Sequence, residues 1–146
     1  MKSAIKRILR TIAASALLMP VVFYVVLWSG FRAGRTREEG KTAALISRFH
    51  RLYNAADFDG ICHLAYKCEE YRDVKENWQV TLDDTRANGG AFKITQRFDF
   101  TFTIEPRSPK ADVVSSFEKG EIREIFTLKD FEEPLKIVTY ERVFRP

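Results

Sequence analysis

Residues 11–31 (TIAASALLMPVVFYVVLWSGF) form a run of 21 residues without a charged side chain. A helix of that length rises about 30 Å, which is the thickness of the hydrocarbon core of a bilayer. Basic residues flank the run, and Tyr24 and Trp28 lie toward its C-terminal end, where aromatic side chains favour the membrane interface. The sequence therefore predicts a transmembrane anchor over residues 11–31 that contacts membrane lipid.

A cleaved signal peptide is the alternative interpretation, because a basic segment precedes the apolar run. We favour the anchor, since the run is longer than the apolar region of a signal peptide and lacks small residues at suitable cleavage positions. Basic residues are equally numerous on the two sides of the run, so their count does not decide the orientation. A short basic tail usually stays in the cytoplasm, however, while a long C-terminal part translocates. We therefore predict a cytoplasmic tail over residues 1–10, a single span of the bacterial inner membrane and a domain outside the cytoplasm.

The net charge of +4 is distributed unevenly along the chain. Residues 1–35 contain six basic and no acidic side chains, so the remaining 18 basic and 20 acidic side chains leave residues 36–146 with a net charge of −2. The basic excess therefore belongs to the flanks of the predicted anchor. The rest of the chain lacks the basic surface of a nucleic-acid-binding protein, and no nucleic-acid partner is predicted.

The remainder divides into a predicted linker over residues 32–36 and a domain over residues 37–146, with the predicted hinge at Gly30 and Gly34. Apolar residues at helical spacing predict three helices in this domain: residues 37–54, 58–66 and 73–87. Thr36 is the predicted cap of the first helix and Asp57 that of the second. Gly90 follows the third helix, where glycine supplies the positive φ of a helix end.

After Gly90 the hydrophobic period changes from about 3.6 to 2, as expected where helices give way to strands. Apolar side chains alternate with polar ones from Phe92 to Ile104, and Gln96 is the polar member of the apolar row. Three more strands are predicted: residues 112–117, 121–129 and 135–144. Short connections make consecutive strands antiparallel. The predicted fold class is α+β, with the anchor followed by a cone-like domain of three helices packed on a curved four-stranded antiparallel sheet.

This order of elements resembles the nuclear transport factor two-like (cystatin-like) superfamily. Residues 49–61 (FHRLYNAADFDGI) look like the segment where the first helix of such domains turns into the second, and residues 113–128 look like their central hairpin. The chain is similar in particular to small bacterial membrane-tethered domains of unknown function. The resemblance implies a pocket between helices and sheet and dimerisation through the sheet, but no particular activity.

An isomerase- or dehydratase-like site would need a carboxylate or histidine in an apolar pocket, with a hydrogen-bond donor opposite it. The polar candidates are Tyr53, Gln96, Asp99, Glu124 and Tyr140. Alternation puts Glu124 on the apolar face of its strand, so Glu124 and Gln96 are the candidate polar residues of a pocket. We favour the interpretation that both stay hydrated near a sheet end or bulge. His50 is interpreted as a solvated helix-edge residue, and no catalytic residue or cofactor is predicted.

Cys62 and Cys68 leave two interpretations open, a disulfide and two separate thiols. A disulfide requires the second helix to end before Cys68, because six residues of continuous helix separate two Cα atoms by about 9 Å. With His63 the two thiols supply three ligands, one fewer than a structural zinc site needs, and no metal is predicted.

We predict a non-enzymatic protein whose extracytoplasmic domain is a protein-binding or assembly module, with a protein partner or a second copy bound through the sheet. The alternative is an enzyme or small-ligand binder that uses the pocket between helices and sheet. The chain contains twelve phenylalanines, many of them on the predicted inner face of the sheet. This composition favours a filled interior and hence the first interpretation.

Overall fold

The computed structural model describes the backbone of residues 2–103, 108–129 and 134–145, and the side chains of residues 23–30, 32–101, 108–129 and 134–145. In this part of the chain three helices precede four strands: α1 (Lys2–Asn54), α2 (Phe58–Leu64), α3 (Arg72–Gly89), β1 (Phe92–Thr103), β2 (Ser108–Phe117), β3 (Gly120–Leu128) and β4 (Ile137–Arg145). The predicted α+β class, with three helices and a four-stranded antiparallel sheet, is confirmed.

The chain divides into two compact units, Met1–Glu38 and Glu39–Pro146, and α1 contributes residues to both. α1 has no break at the predicted linker over residues 32–36. Thr36 does not cap a helix there, because its hydroxyl donates to the Arg32 carbonyl one turn earlier inside α1 (3.0 Å).

Much of the predicted anchor, residues 11–22 and Phe31, lies outside the part of the chain whose side chains the structure describes. Among the described residues, no helix combines the length and the apolar content that crossing a bilayer requires.

Each strand of the sheet pairs with its neighbour in sequence, in the order β1-β2-β3-β4. We call the face that contacts the helices the inner face and the opposite one the outer face. Alternation on β2 and β3 is regular, and their inner-face side chains are buried: Ala111, Val113, Ser115, Phe117, Ile122, Glu124, Phe126 and Leu128. β2 begins at Ser108, earlier than predicted. Pro109 is tolerated because the pairing of β2 with β3 starts only at Lys110.

β1 departs from the predicted alternation at two bulges. Lys93 is the extra residue of the first bulge, and Gln96 is that of the second. Because a one-residue shift reverses the face of every following side chain, Ile94 lies on the outer face and is 61% exposed. The second bulge restores the original phase, so that Phe98 returns to the inner face opposite Val113.

Aromatic side chains fill the space between the helices and the sheet. Phe49 of α1 is fully buried and meets Phe126 of β3 edge to face, with ring centroids 5.2 Å apart. Trp78 of α3 stacks on Tyr140 of β4 at 6.1 Å. Burying a phenylalanine side chain stabilises a fold by about 1.5–3 kcal/mol, so this aromatic cluster contributes much of the stability of the domain.

α2 is short, and its Cys62 forms a disulfide with Cys68, which lies beyond the C-terminal end of the helix. Asp57 caps the helix by accepting from the Gly60 amide (2.8 Å). The helix ends at Leu64, and the extended backbone of Ala65 turns the chain back, so the two cysteine Cα atoms lie 5.2 Å apart. The disulfide uses both thiolates that a metal site would need.

Candidate functional site

Glu124 is a carboxylate in the dry centre of the domain. It lies on β3 between two buried neighbours of the same face, Ile122 and Phe126, and is 0% exposed. The expectation that it stays hydrated is therefore wrong. A buried carboxylate is tolerated only with hydrogen-bond partners, and Glu124 has two: the Tyr140 hydroxyl donates to Oε1 (2.8 Å), and His50 Nε2 lies 2.9 Å from Oε2. We call His50, Glu124 and Tyr140 the polar bridge.

The polar bridge joins α1 to two strands of the sheet. His50 is 2% exposed, so its interpretation as a solvated helix-edge residue is also wrong. Its ring stacks on Phe92 of β1, with ring centroids 3.8 Å apart and planes 10° from parallel. His50 Nδ1 is buried and has no hydrogen-bond partner in the described part of the chain.

Tyr140 keeps its proton and acts as the donor of the polar bridge. Burial raises the pKa of Tyr140 well above its ordinary value, and the Glu124 charge and hydrogen bond raise it further. Burial also raises the pKa of Tyr53 to about 12. The Tyr53 hydroxyl, however, donates to the Gly90 carbonyl (2.8 Å) and does not join the polar bridge.

The other predicted candidates lie elsewhere. Gln96 is exposed at its bulge on β1. Asp99 lies on the outer face and pairs with Arg97 (2.5 Å). Of the polar residues singled out from the sequence, only Glu124 and Tyr140 come together. The sequence also offered a reason to expect burial of their third partner, His50. It lies one helical turn after Ile46 and one turn before Tyr53, and both of these residues are buried.

A groove of about 510 Å³ runs between the second half of α1 and the beginning of β1. Its apolar lining comes from Ala43, Ile46, Phe92 and Phe98, and its polar lining from Ser47, His50, Arg51, Asn54, Lys93 and Thr95. The Asn54 side chain ties the two elements together, because it both donates to the Phe92 carbonyl and accepts from the Phe92 amide (2.9 Å each). His50 is the one member of the polar bridge in the lining of this groove.

Glu124 and Tyr140 do not line the groove, so the polar bridge does not present a carboxylate to a bound molecule. General acid–base catalysis requires the acid or base to reach the proton that it transfers, directly or through one water. The chemistry that this arrangement offers is therefore the connection of α1 to the sheet by hydrogen bonds in a buried interior.

The outer face of the sheet is the other candidate surface. Its basic and acidic side chains lie in separate rows that run across the strands. Cross-strand pairing places Arg97 and Arg123 in one row, with Val114 between them and Val143 beyond. We call this the arginine row. The adjacent acidic row holds the following residues in order: Asp99, Asp112, Ile125 and Glu141.

The two rows are connected within the molecule. Arg123 Nε donates to Asp112 Oδ1 (2.9 Å), and this hydrogen bond lowers the pKa of Asp112. Val143 of the arginine row is 54% exposed, whereas Val114 and Ile125 near the centre are half-buried. The outer face thus combines an apolar centre with adjacent bands of opposite charge.

Compared with known proteins, the chain matches no family model, no curated protein and no solved structure.

Proposed function

We propose that the chain is a single-pass protein of the bacterial inner membrane, held by residues 11–31, with its C-terminal domain outside the cytoplasm. We further propose that this domain is a protein-binding module that pairs with a second copy through the outer face of the sheet. Membership of the nuclear transport factor two-like superfamily is part of the same proposal, supported by the order of three helices and a four-stranded antiparallel meander.

The charge rows of the outer face are the observation that carries the pairing. A second copy related by a two-fold axis along the rows sets its acidic row against the arginine row of the first. Such an interface is isologous, because each copy contributes the same patch, and the contact between an arginine row and an acidic row then occurs twice. Complementary charges of this kind specify register and suppress other partners. Anchoring both copies in one membrane raises their effective concentration and so favours the pair.

The anchor and the disulfide support the location. The uncharged run over residues 11–31 has the length of a membrane span and basic residues at both ends. The Cys62–Cys68 bond fits an oxidising compartment, because disulfides persist outside the bacterial cytoplasm and are rare within it.

The filled interior favours a binding module over the alternative of an isomerase- or dehydratase-like enzyme. Such an enzyme needs its carboxylate at the wall of an open pocket. Glu124 is instead sealed beneath aromatic side chains, and Gln96 is exposed to solvent at a sheet edge.

Site-specific photocrosslinking in native membranes tests the pairing. A photoreactive residue replaces Val114 on the outer face, and a matched control replaces Val80, which is 68% exposed on α3. Two differently tagged copies of the full chain are expressed together. We expect crosslinks between the tags from position 114 and none from position 80. Equal crosslinking from both positions, or none from either, would contradict the pairing.

Protease accessibility tests the orientation separately. Protease added to cells whose outer membrane has been opened should digest the C-terminal domain while the inner membrane is intact. A domain that is protected until the inner membrane is broken would contradict an extracytoplasmic location.

A further inference from the structure

The α1–β1 groove has an electrostatic character that the pairing of the outer face does not use. Arg51 and Lys93, both exposed, are its two cations, and no acidic side chain belongs to its lining. Within the described residues neither of these two side chains forms an ion pair or a hydrogen bond, unlike those of Arg97 and Arg123 on the outer face. The groove is therefore positively charged and uncompensated at its rim.

The inner wall of the groove is apolar but includes one buried polar atom without a partner. Ile46, Phe92 and Phe98 provide hydrocarbon and aromatic surface. His50 lies among them and is 2% exposed, and its Nδ1 has no hydrogen-bond partner among the residues that the structure describes.

We propose that the α1–β1 groove binds a small amphipathic anion, with an apolar body against Ile46, Phe92 and Phe98 and an acidic group between Arg51 and Lys93. The volume of about 510 Å³ is in the range of small-molecule sites. Charge-assisted hydrogen bonds from the two cations would orient the acidic group. This inference is independent of the pairing through the outer face.

The test uses 2-naphthoate as the probe and the full chain in nanodiscs of zwitterionic lipid, with empty nanodiscs as the blank. Isothermal titration measures affinity and stoichiometry, and nitrogen-15 spectra of labelled histidine report on the His50 ring. We expect one probe to bind per chain and to shift the His50 signal. The neutral amide of the same ring system should bind at least about tenfold more weakly, because it loses charge-assisted hydrogen bonds.

The double variant Arg51→Gln/Lys93→Gln should weaken 2-naphthoate binding by at least about tenfold for the same reason. Arg48→Gln is the matched control, since Arg48 is exposed on the same helix but does not line the groove. These substitutions are at exposed positions and leave the polar bridge intact. The proposal is overturned by the absence of binding, by equal affinity for acid and amide, or by equal losses in the double variant and in Arg48→Gln.

Discussion

On the inner face of the sheet, Glu124 is fully buried and held by two hydrogen bonds, whereas on the outer face Asp112 keeps 32% of its side chain exposed and lies against Arg123. Both carboxylates have partners, but the surroundings decide what the partners contribute. Water screens the outer pair and can replace either partner, whereas solvent does not reach Glu124 to replace a hydrogen-bond partner that is lost there. We therefore expect the inner face to carry the stability of the domain and the outer face to be free for recognition.

Replacing Glu124 with Ala should have the largest effect. It leaves His50 Nε2 and the Tyr140 hydroxyl buried without their acceptor, and each buried polar group that loses its partner costs about 1–3 kcal/mol. Urea unfolding of the full chain in mild detergent measures the loss. The matched control is Asp112→Ala on the outer face, which should lose only a small fraction of that amount. Equal losses in the two variants would remove the distinction between the faces.

Val113 and Val114 provide a second test, because they are neighbours on β2 that point to opposite faces. Val113 is fully buried against the helices, so Val113→Ala should lower the free energy of unfolding by about 2 kcal/mol through lost burial and a cavity. Val114 is half-buried on the outer face, so Val114→Ala should lower it by less than half as much. Unfolding of both variants under the same conditions checks the ratio, and a larger loss at Val114 would contradict the assignment of the faces.

Tyr140→Phe isolates one hydrogen bond of the polar bridge. The ring and its packing on Trp78 remain, but Glu124 Oε1 loses its donor, which should cost about 1–2 kcal/mol. Tyr53→Phe is the control for losing a buried tyrosine hydroxyl that does not contact Glu124. In a double-mutant cycle, Tyr140→Phe should couple to Glu124→Ala, whereas Tyr53→Phe should be additive. Additive behaviour at Tyr140 would show that the hydroxyl is not part of the bridge.

The sequence was sufficient to predict the class of the fold. The change of period after Gly90 separates helices from strands, and alternation along β2 and β3 agrees with the observed burial. It failed on β1, where two bulges change the phase twice. Bulges depend on how β1 pairs with β2 and on the ties between Asn54 and Phe92, which are long-range interactions that periodicity within one strand cannot report.

The polar bridge was only partly predictable, for a similar reason. The alternation along β3 gave the face of Glu124, but its buried state depends on a partner 74 residues earlier in the chain. His50 was interpreted as solvated although Ile46 and Tyr53, one helical turn away on either side, are apolar. A polar side chain on a helix is normally assigned to solvent, and only the presence of Glu124 opposite it makes its burial favourable.

The outer pair also predicts a pH dependence, which should be the smallest of these effects. The hydrogen bond from Arg123 lowers the pKa of Asp112 below the ordinary value of 3.8, which applies to the unfolded chain. A group whose pKa is lower in the folded state stabilises the fold above its unfolded pKa and loses that contribution as the pH falls through its folded pKa.

Asp112→Asn should therefore be less stable than the parent at neutral pH, and the difference should shrink as the pH falls below 3.8. Urea unfolding of both proteins from neutral pH to below pH 3.8 measures this difference in stability. The other carboxylates titrate in both proteins, so their contribution drops out of the difference. A difference that grows on acidification would mean that the outer pair does not stabilise the sheet, and the contrast between the two faces would then rest on the polar bridge alone.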